Sequence, residues 1–413
     1  MPLIRPFAGL RPAPGRAADV MAPPYDVLNT EEARVRAADK PWSFLHISKP
    51  EIDLPAGADP YSPAVYARGK ENFDRLLKEG VLTRDPEPYY YVYRVVMGTH
   101  SQTGIVAVAS VPDYDSNRIR KHEFTRPDKE DDRVRQIDAL NAQTGPVFLT
   151  YRHSDKVDAV VAGVVSGMPD VDVTADDGVR HTLWPMRDRR QIETISAEFD
   201  SMPCLYIADG HHRSAAASRV AASRRSANPK HTGAEAYNYF LAVIFPDNQM
   251  RIMDYNRVAK DLNGLSREAF LKKLEPAFHV KPEGSAVKPA RASEFGMYLD
   301  KQWYRLSIKP ERIPQTDPVR RLDVSLLQDN LIAPILGIAD PRRDKRIDFV
   351  GGIRGLKELE RRVDSGEMAV AFSFYPTSLA DLMSVADAGE VMPPKSTWFE
   401  PKLADGLVSH VLD

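Results

Sequence analysis

Leu205-Tyr206-Ile207-Ala208-Asp209-Gly210-His211-His212-Arg213-Ser214-Ala215-Ala216-Ala217 is the stretch from which the rest of the chain is read. Its first residues form a short apolar run ending at Ala208, the pattern of a buried strand. Asp209-Gly210 is a turn pair with helix-capping chemistry. From Ser214 to Ala222 the residues are strong helix formers. The chain therefore passes from strand to helix over about two residues. At such a junction the first amides of the helix have no intrahelical acceptor and the positive end of its dipole points outward. That end suits an anion, phosphate above all. His211, His212 and Arg213 crowd onto it, and positive side chains at a positive pole are unfavourable. Something negative is expected to compensate, either Asp209 or a ligand. The competing reading is a capped helix carrying exposed basic residues.

Around this stretch the composition is that of an ordinary globular protein. The chain has 413 residues, and at roughly 150 residues per domain that suggests two or three domains or subdomains. Hydrophobic residues make up 43% and charged residues 28%, so a disordered chain is excluded. A net charge of −2 argues against nucleic acid as the main partner, since neutralising phosphates takes a clustered excess of Lys and Arg. The one cysteine, Cys204, rules out an internal disulfide and any cysteine metal cluster. It reads as a small buried hydrophobe in the strand before the motif. No run of about 18 apolar residues is present, and the N-terminus lacks a signal-peptide core. A cytoplasmic protein without a membrane partner is the expectation.

Taken in order, the chain mixes hairpins with strand–helix units. The proline-rich residues 1–28 read as an extended arm ending in Pro23-Pro24-Tyr25-Asp26-Val27. Asn29 and Glu32 form a capping-box pattern for a helix to about Ala38. A helix over about Ala64 to Lys78 stops at Gly80, and strands Tyr89–Met97 and Ile105–Val111 read as a hairpin whose loop begins and ends with glycine. The second half of the charge-dense stretch Arg118 to Arg135 reads as a helix, with Thr125 near its cap. A strand is expected at Val147–Tyr151. Tyr237–Phe245 and Met250–Asn256 read as another hairpin. Later come a helix at Ser266–Leu274, paired strands Phe295–Leu299 and Trp303–Ile308, and a helix Val324–Ile335. They are followed by a strand–helix unit at Ile347–Val350 and Arg354–Val363, a strand Met368–Phe374 and a helix from near Ser378. The expected class is α+β with a mixed sheet. Residues 1–260 would hold the core with its N-terminal elaboration. Residues 261–413 would form a second α+β subdomain whose tail, residues 392–403, returns to the site.

Each candidate site has a plain alternative. Backbone amides from Gly210 onward, Arg213 as a charged fork and the histidines as donors would make a phosphate cradle. Zinc is not supported there: His211 and His212 lie about 100° apart around a helix and share no face, and no His-Glu-x-x-His pattern is present. In Arg120-Lys121-His122-Glu123-Phe124-Thr125, Glu123 would serve as general base with Arg120 and Lys121 steering an anionic substrate; the alternative is a solvated, self-neutralising loop. In Met392-Pro393-Pro394-Lys395-Ser396-Thr397, a cation and two hydroxyls suit a phosphate or carboxylate, or the segment is a turn before a last strand. Asp26 would be a base or a magnesium ligand, or would cap a rigid turn. Gly351-Gly352-Ile353-Arg354-Gly355 lacks the dinucleotide and P-loop patterns and reads as a tight turn.

Together these motifs resemble a bacterial and archaeal family known only as a domain of unknown function. The residues that carry the likeness are Ala208–Arg213, Pro23–Val27, Lys121–Thr125, Asp131-Asp132-Arg133 and Met392–Thr397, and it runs from near residue 4 to about residue 407. Asp209–Arg213 is also similar to the phosphate-binding motif of the ParB/sulfiredoxin superfamily, which includes sulfiredoxin, CTP-dependent ParB clamps and kinases of free L-serine. The resemblance implies a ParB/sulfiredoxin-like strand–turn–helix core. It implies Asp209 as a catalytic or Mg²⁺-orienting carboxylate, and Glu123 as the base those kinases draw from upstream. Gly210, His211, His212, Arg213, Lys395, Ser396 and Thr397 would hold phosphate or nucleotide; Tyr25, Asp26, Lys121, His122 and Thr125 would line the substrate. His211 stands where sulfiredoxin has its cysteine, so sulfinic-acid reduction is not supported. The expected hairpin after the motif, in place of a helix-turn-helix, speaks against a DNA clamp. The implied activity is phosphotransfer from ATP or ADP with Mg²⁺ to an amino acid, serine first. A phosphatase or nucleotide hydrolase, and a nucleotide-binding protein without turnover, remain the alternatives.

Overall fold

Tyr239–Pro246 is buried at every position, which only an interior strand with cover on both faces allows. It pairs antiparallel with His100–Ser110 on one side and parallel with Val147–Tyr151 on the other. The computed structural model, which describes residues 1–413, builds a mixed sheet outward from this strand. Its order is Ile119–Arg120, Leu205–Asp209, Val147–Tyr151, Tyr239–Pro246, His100–Ser110, Tyr90–Met97, Arg180–Met186 and Val171–Thr174, with Ile4–Arg5 also paired to His100–Ser110. Helices Asp155–Val165 and Arg189–Ser201 contribute Val157, Ile195 and Phe199 to the core that holds Val92, Ile105, Leu149 and Ile207. A separate cluster joins Phe44, Ile47, Phe73 and Leu76 of the N-terminal segment to Leu140. The α+β class with a mixed sheet is the one the sequence pattern implies.

The chain divides into two units, Met1–Met250 with Pro401–Asp413, and Arg251–Glu400. The first division falls ten residues before the expected boundary at 260. Of the expected tail, residues 392–400 belong to the second unit and residues 401–403 to the first. The second unit is built on an antiparallel sheet ordered Phe278–Glu283, Gln302–Ile308, Glu294–Leu299, Val370–Phe374, Tyr255–Ala259 and Ile347–Gly351. Helix Gly355–Asp364 packs Leu359 against Val258, Val350 and Ala371 of that sheet.

Local chemistry sets several elements where the residues place them. The Asn29–Glu32 capping box starts helix Thr30–Ala37, and Ser378 with Asp381 starts Leu379–Asp387 in the same way. Other elements differ. The Tyr237–Asn256 hairpin does not form, because Tyr239–Pro246 takes both its neighbours from elsewhere and Tyr255–Ala259 belongs to the other sheet. The loop between Tyr90–Met97 and His100–Ser110 is shorter than its glycines suggest; Gly104 lies inside the second strand, against Ile244 and Phe245. Residues 1–28 are not extended throughout: Ala17–Val20 is helical, Leu3, Ile4 and Val20 are fully buried, and Leu10–Pro12 pairs with Leu82–Arg84. The helix expected over Val324–Ile335 is a short α-helix, Asp323–Leu327, that widens into a π-turn over Gln328–Ile332.

Candidate active site

The motif strand Leu205–Asp209 runs buried to Ala208. Its register against Val147–Tyr151 shifts between Ile207 and Asp209, and such bulges re-aim the side chain that follows. Gly210 then turns the chain at φ +94°, a left-handed conformation that suits glycine. A Cβ there would stand 3.4 Å from the Arg213 guanidinium and from the Val147 backbone. Helix His211–Ala227 begins at once, with the Gly210 carbonyl accepting from the amides of Arg213 (3.0 Å) and Ser214 (3.1 Å). No side chain caps it. Its first amides lack intrahelical acceptors, as at any helix start.

Asp209 accepts the Gly210 amide on Oδ1 at 2.8 Å and the Lys402 ammonium on Oδ2 at 3.5 Å. Burial alone would raise this carboxyl, but Lys402 and Arg213 outweigh it and hold it down at about 2. It is ionised throughout the physiological range. The Arg213 guanidinium donates to the Pro146 carbonyl and, at 3.4 Å, to Asp26 Oδ2. Burial opposes its charge, and Asp26 with Asp209 more than restores it. The expected charged fork is thus partly engaged by the protein itself.

The two histidines correct the reading of a helix end loaded with cations. His211 is buried, and desolvation beside His122 takes it well below its ordinary value. His212 accepts the Arg126 amide on Nε2 at 3.1 Å, so it caps the neighbouring helix Pro127–Leu140; burial and Arg126 lower it too. Both rings are neutral near pH 7, and Arg213 alone carries charge in this turn. His211 also has a histidine partner that its neighbour in sequence concealed. It meets His122 edge-on, and donor atoms of His122, Glu123 and His211 lie within 4.8 Å of one another. His122 is buried and falls to about 4, chiefly through desolvation.

Tyr25 and Asp26 form a single 3₁₀ turn beside Arg213. The Arg133 guanidinium lies 3.9 Å from the centroid of the Tyr25 ring and donates to Asp132 Oδ2 at 2.6 Å. Burial pushes the Tyr25 phenol up to about 12 despite Arg133. A pocket opens here, lined by Tyr25, Arg133, Thr144, Gly145, Arg213 and Asp405. Asp405 is fully enclosed and burial raises it to about 7, with Arg213 pulling it down and Asp26 pushing it up. Arg133, Lys402 and Asp405 escaped the sequence reading as site residues. Arg133 sat in view within a recurring motif. Lys402 and Asp405 carry no local signal and reach the site only because Pro401–Asp413 folds into the first unit.

Other expected site residues are engaged differently. The Lys121 ammonium donates to the Tyr114 carbonyl at 2.7 Å and lies over that ring. Thr125 donates to Glu130, and the cap position is Arg126. Lys395, Ser396 and Thr397 belong to the second unit. There the Ser396 hydroxyl donates to Pro393 at 2.6 Å, the Lys395 carbonyl accepts from Arg257, and Lys395 has a left-handed backbone, φ +58°. Ser396 thus closes a local turn. Glu123 is exposed.

One sequence family matches residues 4–325 of the chain. The chain belongs to the family described as protein of unknown function (DUF1015). The DUF1015 match takes in Asp26, Glu123 and Asp209–Arg213, while Lys402 and Asp405 lie beyond it. No curated protein matches the chain in sequence. Among solved structures it is similar to a free serine kinase variant in complex with AMP, at 13% identity over 71% of this chain and 87% of that one, TM-score 0.36. A second variant, in complex with ADP, gives 13% identity, 71% and 87% coverage and a TM-score of 0.35. A conserved hypothetical protein from Pyrococcus furiosus gives 15% identity, 73% and 94% coverage and a TM-score of 0.35.

Proposed function

We propose that this protein transfers a phosphoryl group from ATP or ADP, with Mg²⁺, to a small-molecule alcohol, and that free L-serine is the acceptor. The observation that carries the reading is the junction at Gly210. An ionised carboxylate, Asp209, stands beside Lys402 and Arg213 at the uncapped positive pole of a helix of 17 residues. Such a pole takes phosphate without further help, and phosphoryl transfer asks mainly for positioning and electrostatics.

In this reading the amides after Gly210 hold the transferred phosphoryl group. Lys402 and Arg213 offset its charge. Asp209 Oδ2, bound only by a long contact to Lys402 at 3.5 Å, is the oxygen that fits Mg²⁺, which would neutralise nucleotide charge when bound. The acceptor hydroxyl attacks the terminal phosphorus, a new O–P bond forms as the bond to the departing nucleotide breaks, and the hydroxyl proton passes to Glu123. The Arg133–Tyr25 pocket would seat the acceptor.

The test is phosphorus NMR of the protein with Mg-ATP or Mg-ADP and each amino acid in turn. O-phosphoserine is the expected product, and Asp209→Ala should abolish it while the protein stays folded. No phosphorylated product with any amino acid would remove the kinase reading. Hydrolysis without an acceptor would turn it toward a nucleotide hydrolase, and tight binding with neither reaction toward a nucleotide-binding protein.

A further inference from the structure

His122 and His211 come from separate segments, yet their rings meet at 4.5 Å between centroids and 85° between planes. They are 2% and 5% exposed. Each keeps one ring nitrogen without a hydrogen-bond partner, Nδ1 in His122 and Nε2 in His211. Buried polar atoms are rarely left so, and here two of them belong to rings that touch. The His122 ring is oriented by a hydrogen bond with the Ile207 backbone. Because Nδ1 is the unpartnered atom, the donor is Nε2–H, and Nδ1 presents a bare lone pair. An imidazole fixed by one N–H to a backbone carbonyl, with its other nitrogen on offer, is the arrangement proteins use to aim metal ligands. The Glu123 carboxylate brings an anionic oxygen to the same place, and donor atoms of the three residues lie within 4.8 Å of one another.

We propose that His122 Nδ1, His211 Nε2 and a Glu123 carboxylate oxygen bind a divalent first-row transition metal of the Zn²⁺ class. Two imidazoles and one carboxylate are the protein ligands of a catalytic zinc centre, which keeps a position open for water or substrate. The same set disfavours Mg²⁺, which takes oxygen ligands, so this ion differs from the one that accompanies a nucleotide. Ligand bonds near 2.1 Å place tetrahedral donors about 3.4 Å apart, so binding draws the donors together. Glu123 is exposed while both histidines are buried, so its side chain is the one that moves. His211 is the first residue of the motif helix, which sets the metal next to the Asp209–Gly210 turn. The assignment does not rest on phosphotransfer. With metal bound, Glu123 serves as a ligand and is withdrawn from the role of base.

The test uses the full-length protein, dialysed against a chelator and titrated with Zn²⁺ alone by calorimetry, then with Co²⁺ followed by its visible absorption bands. One Zn²⁺ per chain is expected, with Co²⁺ bands of four- or five-coordinate intensity. His122→Gln and Glu123→Gln should each weaken Zn²⁺ at least as much as loss of an outer-shell partner does, roughly 10- to 100-fold. Since His122→Gln alters a buried position, Glu123→Gln, with unchanged circular dichroism, decides the matter by itself. No saturable Zn²⁺ uptake by the native protein, equal affinity in native and Glu123→Gln protein, or Mg²⁺ competing on equal terms would overturn the site. The titration needs no turnover, so a failed phosphotransfer assay leaves it standing.

Discussion

Replacing Asp405 with Asn should change how stability depends on pH, and in a direction opposite to the usual acid effect. Asp405 is 2% exposed. Its amide donates to the Ala22 carbonyl at 2.9 Å and its carbonyl accepts from the Ala22 amide at 3.1 Å, so the backbone cannot carry the carboxyl out to water. Burial raises that carboxyl from 3.8 to about 7. Between about pH 4 and pH 7 the folded state therefore holds a proton that the unfolded state has released, and unfolding free energy falls as pH rises. At ~1.4 kcal/mol for each tenfold change in proton affinity, the ionised carboxylate costs the folded state about 4 kcal/mol above pH 7. Asn cannot ionise, so the stability of Asp405→Asn relative to the native chain should climb by that order from pH 4 to pH 8. Urea unfolding across this range measures it. The fluorescence of Trp42 and Trp184, in a background with Trp303 and Trp398 replaced, reports the first unit. Titrating groups remote from Asp405 are common to both proteins and cancel in the difference. A difference that stays flat with pH, or falls, would refute the argument.

Three further outcomes follow from the geometry. Gly210→Ala forces an L-residue to φ +94° at a cost of about 1–2 kcal/mol, and misplaces the first amides of the helix; the first unit should melt lower and phosphate affinity should fall in calorimetry. Lys402→Met removes the nearest cation from Asp209, so the Asp209 carboxyl should rise from about 2 toward the ordinary carboxylate range in carbon-13 NMR titration, with weaker nucleotide binding. Asn256→Ala removes the acceptor of the Phe374 amide, 3.0 Å away and fully buried; an unsatisfied buried donor costs roughly 1–3 kcal/mol, which should appear in Trp303 fluorescence on urea unfolding and leave the Trp184 transition in place.

Much of the local structure was legible in the residues because its causes are local. Asn29 and Glu32 cap a helix through their own backbone, and the run of β-branched and aromatic residues in Val147–Tyr151 marks a strand without reference to a partner. The Asp209–Gly210 turn was readable for the same reason: glycine is the residue that best tolerates its backbone angle. What failed were inferences about partners. Adjacent strands in sequence suggested a hairpin at Tyr237–Asn256, but a strand buried on both faces takes two neighbours, and both came from distant segments.

The same division runs through the site. From residue order alone came a strand, a left-handed glycine and a helix start able to hold an anion, since these depend on a handful of consecutive residues. Only the tertiary structure paired His211 with His122 instead of His212, brought Lys402 to Asp209 and enclosed Asp405 beside Arg213. It also showed that the crowded histidines carry no charge, because proton affinity is set by burial and by neighbours in space, and neither is written in the order of the chain.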